Sequence, residues 1–578
     1  MASAITVASS SNSRIPLLLS EGDIVDGTVD YKGRPAIRTK HGRWKSASFI
    51  IGMEIAERIA YYGITSNLIS YLTGPLGEST ASAAANVNAW TGFGCLFPVV
   101  GAIVADSFLG RYLTIVMSSF IYILGLALLT LSAILPYTSS VNYKKTTIGM
   151  LCDSPHFQII SIFFSLYLVS IGQSGHRPCV QAFGADQFDG QNFHESKAKS
   201  SFFNWWYMGM CLGPLLVLSV INYIQDNVGW GFGFGIPCII MTLALLVFLL
   251  GSPTYRHVIR GEERSAFVRI GRVLSAAAMN WRIKQSTIDV EEEAQGFSPS
   301  HGSKQFRFLD KALVAPRSSD DIGKVCCKSE VEEVKAVLRL FPIWATSIIY
   351  AIVFSQSLTF FTKQGLTMDR SLGPSFSIPP ASLQSFINIS VVLVIPIYDR
   401  ILVPISRSFT GKPGGITVLQ RVGTGMLIST VSMITAAIVE KKRLETALEN
   451  GLIDLPDVTV PMSVWWLVPQ YVLLGISEVF TMVGLQEFFY DQVPTELRSV
   501  GLSLYLSVFG VGSLLSSLMI SIIDKATGSN GQDSWFSSNL NRGHLDYFYC
   551  MLAAFSAIQL MKEFTAKFGR FLLSFPVN

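Results

Sequence analysis

Charge is what this chain has least of. Only 15% of its 578 residues are Asp, Glu, Lys or Arg, against about 25% in soluble domains. Half of the residues are hydrophobic and the mean hydropathy is +0.43. That balance excludes an ordinary soluble domain and points to a polytopic membrane protein. The net charge of +4 is too small for this length to suggest nucleic-acid binding. Cysteine is sparse and unpatterned. Cys95, Cys179, Cys211, Cys238 and Cys550 lie in or beside apolar runs, Cys326 and Cys327 are adjacent in a polar stretch, and Cys152 stands alone. No disulfide framework or zinc spacing emerges. The seven His are scattered, and only His176 sits at the edge of an apolar run. No HExxH and no nucleophile–base pair falls on a span, so an intramembrane enzyme is disfavoured and neither metal nor cofactor is expected. The N-terminus, with Glu21, Asp23 and Asp26, lacks the basic segment and apolar core of a secretory signal. The first long apolar run, from Ala47, is expected to act as the targeting signal.

A span needs about 20 apolar residues. Twelve candidates meet that demand: 47–73, 86–108, 112–136, 157–176, 200–222, 230–251, 335–361, 381–404, 417–439, 463–489, 499–523 and 546–574. The predicted fold class is an all-α membrane protein of twelve transmembrane helices in two six-helix bundles. The predicted divisions are an N-terminal tail (1–46), a first bundle (47–251), a central loop (252–334) and a second bundle with a short tail (335–578). Arg34, Arg38, Lys40, Arg43 and Lys45 crowd the approach to the first span, which predicts a cytoplasmic N-terminus. Gly74 to Ala85 carries no Lys or Arg, as the opposite side should. Residues 252–330 hold 13 Lys/Arg and 10 Asp/Glu, which returns the central loop to the cytoplasm. An even number of spans places both termini there. One stretch disagrees: Glu440-Lys441-Lys442-Arg443 reads as a loop on the far side. Within the central loop, Ala266–Ile270 fits either an amphipathic helix on the membrane surface or part of a flexible linker.

The most informative residues are inside the first span. Glu54, Glu57 and Arg58 interrupt an apolar helix at i, i+3, i+4 and share one side of it. Ionisable groups at membrane depth are costly and mark ion, proton or substrate paths. Two acids and one base leave one acid without a partner, a group suited to binding and releasing a proton. A static salt-bridge knot is the alternative reading.

Six spans, a long loop and six more is the pattern of a major-facilitator transporter, whose site lies between the halves. The loop around Asp106 and Arg111, between spans two and three, supports it. Glu496 and Arg498 occupy the corresponding loop of the second half. These charges are expected to pair with neighbouring helix ends in one conformation and release in the other.

The segment Glu54-Ile-Ala-Glu57-Arg58-Ile-Ala-Tyr61-Tyr62-Gly63 resembles the ExxER segment of the proton-dependent oligopeptide transporters, in particular the plant nitrate/peptide transporter family. Phe183-Gly-Ala-Asp186-Gln-Phe188-Asp189, Phe202-Phe203-Asn204-Trp205-Trp206 and Glu487-Phe-Phe-Tyr490-Asp491-Gln-Val-Pro494 resemble it too. The resemblance runs in order from about residue 44 to 570. It implies a proton-coupled symporter working by alternating access on nitrate, a di- or tripeptide, or a plant hormone or metabolite. It makes Glu54, Glu57 and Arg58 the proton-coupling triplet, and Glu478 an acid that pairs with a fourth-span lysine. Here Ser174-Gly175-His176-Arg177-Pro178 places Arg177 at the lysine position. Arginine keeps its proton, so an Arg177–Glu478 bridge between the bundles is expected to open when Glu478 is protonated or when a substrate anion competes for Arg177. A nitrate-transporting relative uses a seventh-span histidine where this chain has Phe354. Tyr61, Tyr62, Phe354 and Gln356 are the substrate-binding candidates, with Phe360 and Phe361 nearby. A transport-weak nutrient sensor, or a proton-independent facilitator or channel, is the alternative. Expected partners are a small solute, protons and the bilayer, in the plasma or vacuolar membrane. The oligomeric state is left open.

Overall fold

The computed structural model describes residues 24–139, 155–189, 191–259, 266–281, 306–313, 326–373, 376–410, 416–493, 498–528 and 533–573. The Pro16–Leu19 run, Cys152 and Glu496 lie outside them.

The first six long helices are α1 (Arg43–Thr65), α2 (Thr80–Val104), α3 (Arg111–Ser139), α4 (Pro155–Ala185), α5 (Phe193–Leu216) and α6 (Trp230–Leu250). The central segment carries α7 (Ala266–Met279) and α8 (Lys328–Leu338). Six more long helices follow: α9 (Phe341–Ser355), α10 (Ser385–Ile397), α11 (Val418–Glu449), α12 (Val468–Asp491), α13 (Arg498–Thr527) and α14 (Leu545–Leu573). Local chemistry sets several starts. Ser79 caps α2 by accepting from Ser82 N at 3.1 Å, and Thr417 and Gln420 form a capping box on α11. Pro98, Pro178, Pro214 and Pro237 lie inside helices, where neighbouring helices take up the disturbed backbone.

Among the described residues, nine helical stretches are long and apolar enough to cross a membrane. Helix α1 falls short because it contains the charged triplet. Large apolar side chains cover the outside of the bundles, among them Phe120 and Leu124 on α3, Leu243 and Leu246 on α6, and Leu393 on α10. Such an apolar exterior suits hydrocarbon rather than water.

Helices α1–α6 pack on one another, as do α9–α14. The seam between the two groups is tightest at α2 and α13. A Cβ on Gly92 would lie 2.9 Å from the Gly510 carbonyl oxygen, and one on Gly510 would lie 3.0 Å from that of Gly92. Only glycine permits that approach. Asn88 Nδ2 donates to Ser516 Oγ across the same seam at 3.1 Å. The groups also join at the end far from the central segment. Lys363 Nζ donates to Thr73 Oγ1 at 3.1 Å, Gln384 Nε2 to the Ser66 carbonyl at 3.0 Å, and Ser382 to the Leu218 carbonyl. Tyr223 stacks on Phe376 with ring centroids 5.7 Å apart.

Three stretches differ from the sequence reading. Glu440–Arg443 is not a loop: α11 continues to Glu449, and Glu440 and Arg443 are fully buried in a bidentate pair. Gln364 and Asn541 complete their hydrogen bonding at 2.8 and 2.7 Å. A buried, satisfied pair carries no information about sidedness, so Glu440 and Arg443 drop out of the loop count, whereas Lys441 and Lys442 between them are exposed. Second, helix α7 does form, and protein covers part of its apolar face while Val268, Leu274 and Met279 stay exposed. Val273 and Ala277 pack on Leu309, Ala312, Val331 and Val334, and Arg269–Glu333 and Lys335–Asp310 pairs at 3.3 and 2.6 Å hold the rim. Third, residues between 101 and 112 are mostly helical, continuing α2 as a π turn over Ala105–Leu109.

The polar N-terminal stretch is also structured. Strands β1 (Ile24–Val29), β2 (Pro35–Ile37) and β3 (His257–Val258) form an antiparallel sheet in the order β2-β1-β3. The fully buried Arg256 anchors it, reaching Glu195 at 2.7 Å and the His41 carbonyl at 2.9 Å. Arg38 bridges Asp189 at 2.8 Å and Glu195 at 3.2 Å. Burial opposes the charge on Glu195, but hydrogen bonds from Arg256 and the Asp189 backbone, with both guanidinium charges, hold its carboxyl below the usual range. Asp189 is lowered in the same way, with Gln191 N–H and Arg38 outweighing burial. A lowered carboxylate stabilises the fold above its ordinary pKa, and that contribution is lost as pH falls through the folded value. Amide protection factors over Val25–Ile37 should therefore be high and flat at neutral pH and fall below about pH 4. Glu195→Gln should give the low protection at neutral pH.

Candidate functional site

Helix α1 delivers Glu54, Glu57 and Arg58 to one side, as the i, i+3, i+4 spacing requires. Arg58 Nε lies 2.7 Å from Glu54 Oε1 and 3.2 Å from Glu57 Oε2. Helix α5 closes on Arg58 at Gly213, where a Cβ would meet Arg58 Cβ at 2.6 Å. Any side chain there would push the triplet away. Glu57 is fully buried, and Glu54 nearly so.

The spare acid expected on α1 has a partner. Arg177 on α4 brings Nε to 3.7 Å from Glu57 Oε1, and Gln173 Nε2 donates to the same oxygen at 2.8 Å. Two carboxylates thus face two guanidiniums inside the first group of helices. The α4 residues that reach Glu57 are Gln173 and Arg177, at i, i+4. Gln173 was missed in the sequence, although the helical spacing from Arg177 marks it. The Arg177 guanidinium also lies over the Tyr61 ring at 4.4 Å, a cation–π contact. Tyr61 meets Tyr62 edge-on at 5.4 Å and stacks near Trp90 at 6.1 Å. Trp90 is fixed by donating to the Leu166 carbonyl at 2.7 Å.

The acid without a cation is Glu478, on α12. Among the described residues it makes no ion pair, and Tyr62 and Tyr350 are within its electrostatic reach. Arg177 and Glu478 are therefore not bridged in this conformation. Phe354 on α9 sits with Tyr350 and Phe509, at 6.4 and 6.1 Å between centroids. Gln356 does not share that environment. It is fully buried at the seam and donates to Ser516 Oγ at 3.0 Å, in line with the Asn88 contact. Phe360 and Phe361 are also fully buried, packed on Phe536 and Phe548 and on Tyr471 and Tyr549. Arg111 pairs with Asp186 at the near end of the helices. The side chains of Asp106 and Arg498 lie outside the description, as does Glu496.

Comparison with known proteins decides the family. A POT family model matches residues 112–536. Protein NRT1/PTR FAMILY 5.10 of Arabidopsis thaliana is 61% identical over 533 residues, covering 92% of this chain and 94% of the relative. The chain belongs to the POT family. Protein NRT1/PTR FAMILY 5.13 from the same plant is 56% identical over 544 residues, covering 93% and 95% of the two chains. Among solved structures, an auto-inhibited POT family peptide transporter shares the fold with a TM-score of 0.67 and 23% identity, over 92% of this chain and 98% of that one. A POT family transporter in complex with 5-aminolevulinic acid gives a TM-score of 0.59 at 17% identity, over 90% and 95%. This POT protein is thus a multi-pass membrane transporter with the major-facilitator fold, as the residues in the first span had suggested.

Proposed function

We propose that this protein is a proton-coupled symporter that moves a small anionic or organic solute by alternating access. One observation carries the reading: two carboxylates and two guanidiniums are buried inside the first group of helices, with an unpaired carboxyl, Glu478, on the other group. Charges buried at this cost are kept where they move a proton or a solute. The joined far end suits one state of the cycle. With the basic N-terminal approach and the central segment on the cytoplasmic side, that state is open inward, in a plasma or vacuolar membrane. The complex of a relative with 5-aminolevulinic acid supports a small organic solute, and Tyr62 with Phe354 supplies aromatic surface for one.

The test is uptake in oocytes at acidic and neutral pH, with nitrate, dipeptides and organic acids as probes. Accumulation above the external concentration, present only with an inward proton gradient, is the expected result. Equilibration without accumulation at either pH would mean a facilitator, and pH-dependent signalling without flux a sensor.

Nitrate provides a second prediction. Phe354 cannot donate a hydrogen bond to an anion, so micromolar nitrate affinity should be absent in the unmodified protein. Phe354→His should raise nitrate uptake about tenfold, the effect of one hydrogen bond to a charged group. Micromolar affinity in the parent protein would remove the argument.

A further inference from the structure

We propose that His176 is a second proton-carrying group of this transporter, exchanging its proton with the Glu57 carboxyl; the proposal rests on the proton-coupling reading above. His176 is fully buried on α4, and both ring nitrogens lack a hydrogen-bond partner among the described residues. A core histidine kept for packing normally satisfies at least one nitrogen, because an unmade buried hydrogen bond is costly. The ring sits three residues after Gln173, which holds Glu57, and beside Arg177, which flanks the same carboxylate.

Further buried polar atoms on α3 and α4 are equally unsatisfied. Gln173 Oε1, Ser170 Oγ, Ser119 Oγ and the Tyr122 hydroxyl have no partner among the described residues. Gly94 on α2 faces this patch, since a Cβ there would lie 3.3 Å from Gln173 Oε1 and 3.8 Å from Ser170 Oγ. Tyr122 backs against Gly172 on α4, within electrostatic reach of Glu57 and Arg177. Unsatisfied buried polar atoms of this kind are the partners that a buried water needs. The proposed transfer uses one bridging water between the imidazole and Glu57.

The charged and titratable groups facing His176 are few. Helix α1 contributes Glu57 and Arg58, and α4 itself contributes Arg177; Cys95 on α2 and Tyr122 on α3 lie within electrostatic reach of the same two guanidiniums. Helix α5 carries no Asp, Glu, Lys, Arg or His between Phe202 and Leu216. Of these only Glu57 favours an imidazolium, and only His176 has an ordinary pKa near neutrality. Neither guanidinium can give up a proton. The step is a simple transfer: the Glu57 carboxyl O–H loses its proton to a His176 ring nitrogen, leaving carboxylate and imidazolium. The imidazolium then releases the proton to water toward the central-segment end, where α4 leads.

The experiment uses the full-length protein in lipid nanodiscs with isotope-labelled histidine, read by magnetic resonance across pH 4 to 9, with the proton as the probe. The His176 ring signal is the one of seven missing from His176→Gln, or from His176→Asn should the first variant fold poorly. The expected result is a reversible change of its protonation state within that range, with a midpoint that moves by about half a pH unit or more in Glu57→Gln, as loss of a near carboxylate requires. A ring that stays in one state throughout overturns the proposal, and so does a midpoint unmoved by Glu57→Gln. The readout needs no solute. An unmoved midpoint together with lost proton-driven uptake in Glu57→Gln would overturn the His176 role alone. A moved midpoint with intact uptake would overturn the coupling reading instead.

Discussion

Glu57→Gln should abolish pH-driven accumulation while leaving a folded protein at the membrane surface. The amide keeps the shape of the side chain, but its single oxygen can accept from only one of Gln173 Nε2 and Arg58, which lie 2.8 and 3.2 Å from the two oxygens of Glu57. It loses the negative charge that Arg58 and Arg177 share. Two buried guanidiniums would then face Glu54 alone. Breaking a buried pair by removing one charge costs about 3–5 kcal/mol, and each 1.4 kcal/mol is a factor of ten. Uphill uptake should therefore fall at least about a hundredfold. Counterflow exchange of the solute, which needs no net proton movement, should survive. Glu54→Gln should be milder, because Glu54 holds only Arg58, and Arg58 retains Glu57. The measurement is accumulation against counterflow in one preparation. A Glu57→Gln protein that still concentrates solute under a proton gradient would end the assignment.

The sequence marked some parts of this site and hid others for physical reasons. Glu54, Glu57 and Arg58 were legible because charge is rare in an apolar helix and their spacing fixes a shared face. The partner of Glu57 was not. That Arg177 meets Glu57 depends on how α4 packs against α1, which no local pattern records. Counting charges within one helix therefore placed the unpaired acid on α1, whereas packing places it on α12 as Glu478. The Glu440–Arg443 run misled for the same reason, since burial between helices and exposure in a loop look alike in a charge count. Gln356, named among the binding candidates, donates to Ser516 Oγ at the seam, a contact that no local pattern records. The ordered strap over β1 and β2 was invisible as well, being held by Arg256 and Glu195 from distant parts of the chain rather than by its own composition.

Arg177→Gln should impair transport severely, and two double-mutant cycles should show that Arg177 serves two acids in turn. In the conformation described, Arg177 is 3.7 Å from Glu57 and lies over Tyr61, while Glu478 has no cation. The far end of the bundles is joined in the same conformation. When that end opens and the central-segment end closes, α4 and α12 belong to the two halves that come together. Glu478 then needs a partner once water is excluded, and Arg177 is the α4 cation placed to give one. A direct exchange of the two charges is a poor test, because a carboxylate at position 177 would sit beside Glu57 and repel it. Neutral variants avoid this. Thermal stability of Arg177→Gln, Glu57→Gln and their combination reads the pair present in this conformation. Transport rates of Arg177→Gln, Glu478→Gln and their combination read the pair that forms on closure. Each cycle should give a coupling of about 1–3 kcal/mol, with the double variant less impaired than the product of the singles. Glu478→Gln should leave the first cycle unchanged, since Glu478 makes no ion pair here. Additivity of Arg177 and Glu478 in transport, to within about 0.5 kcal/mol, would mean that the two never meet and that closure is held by other residues.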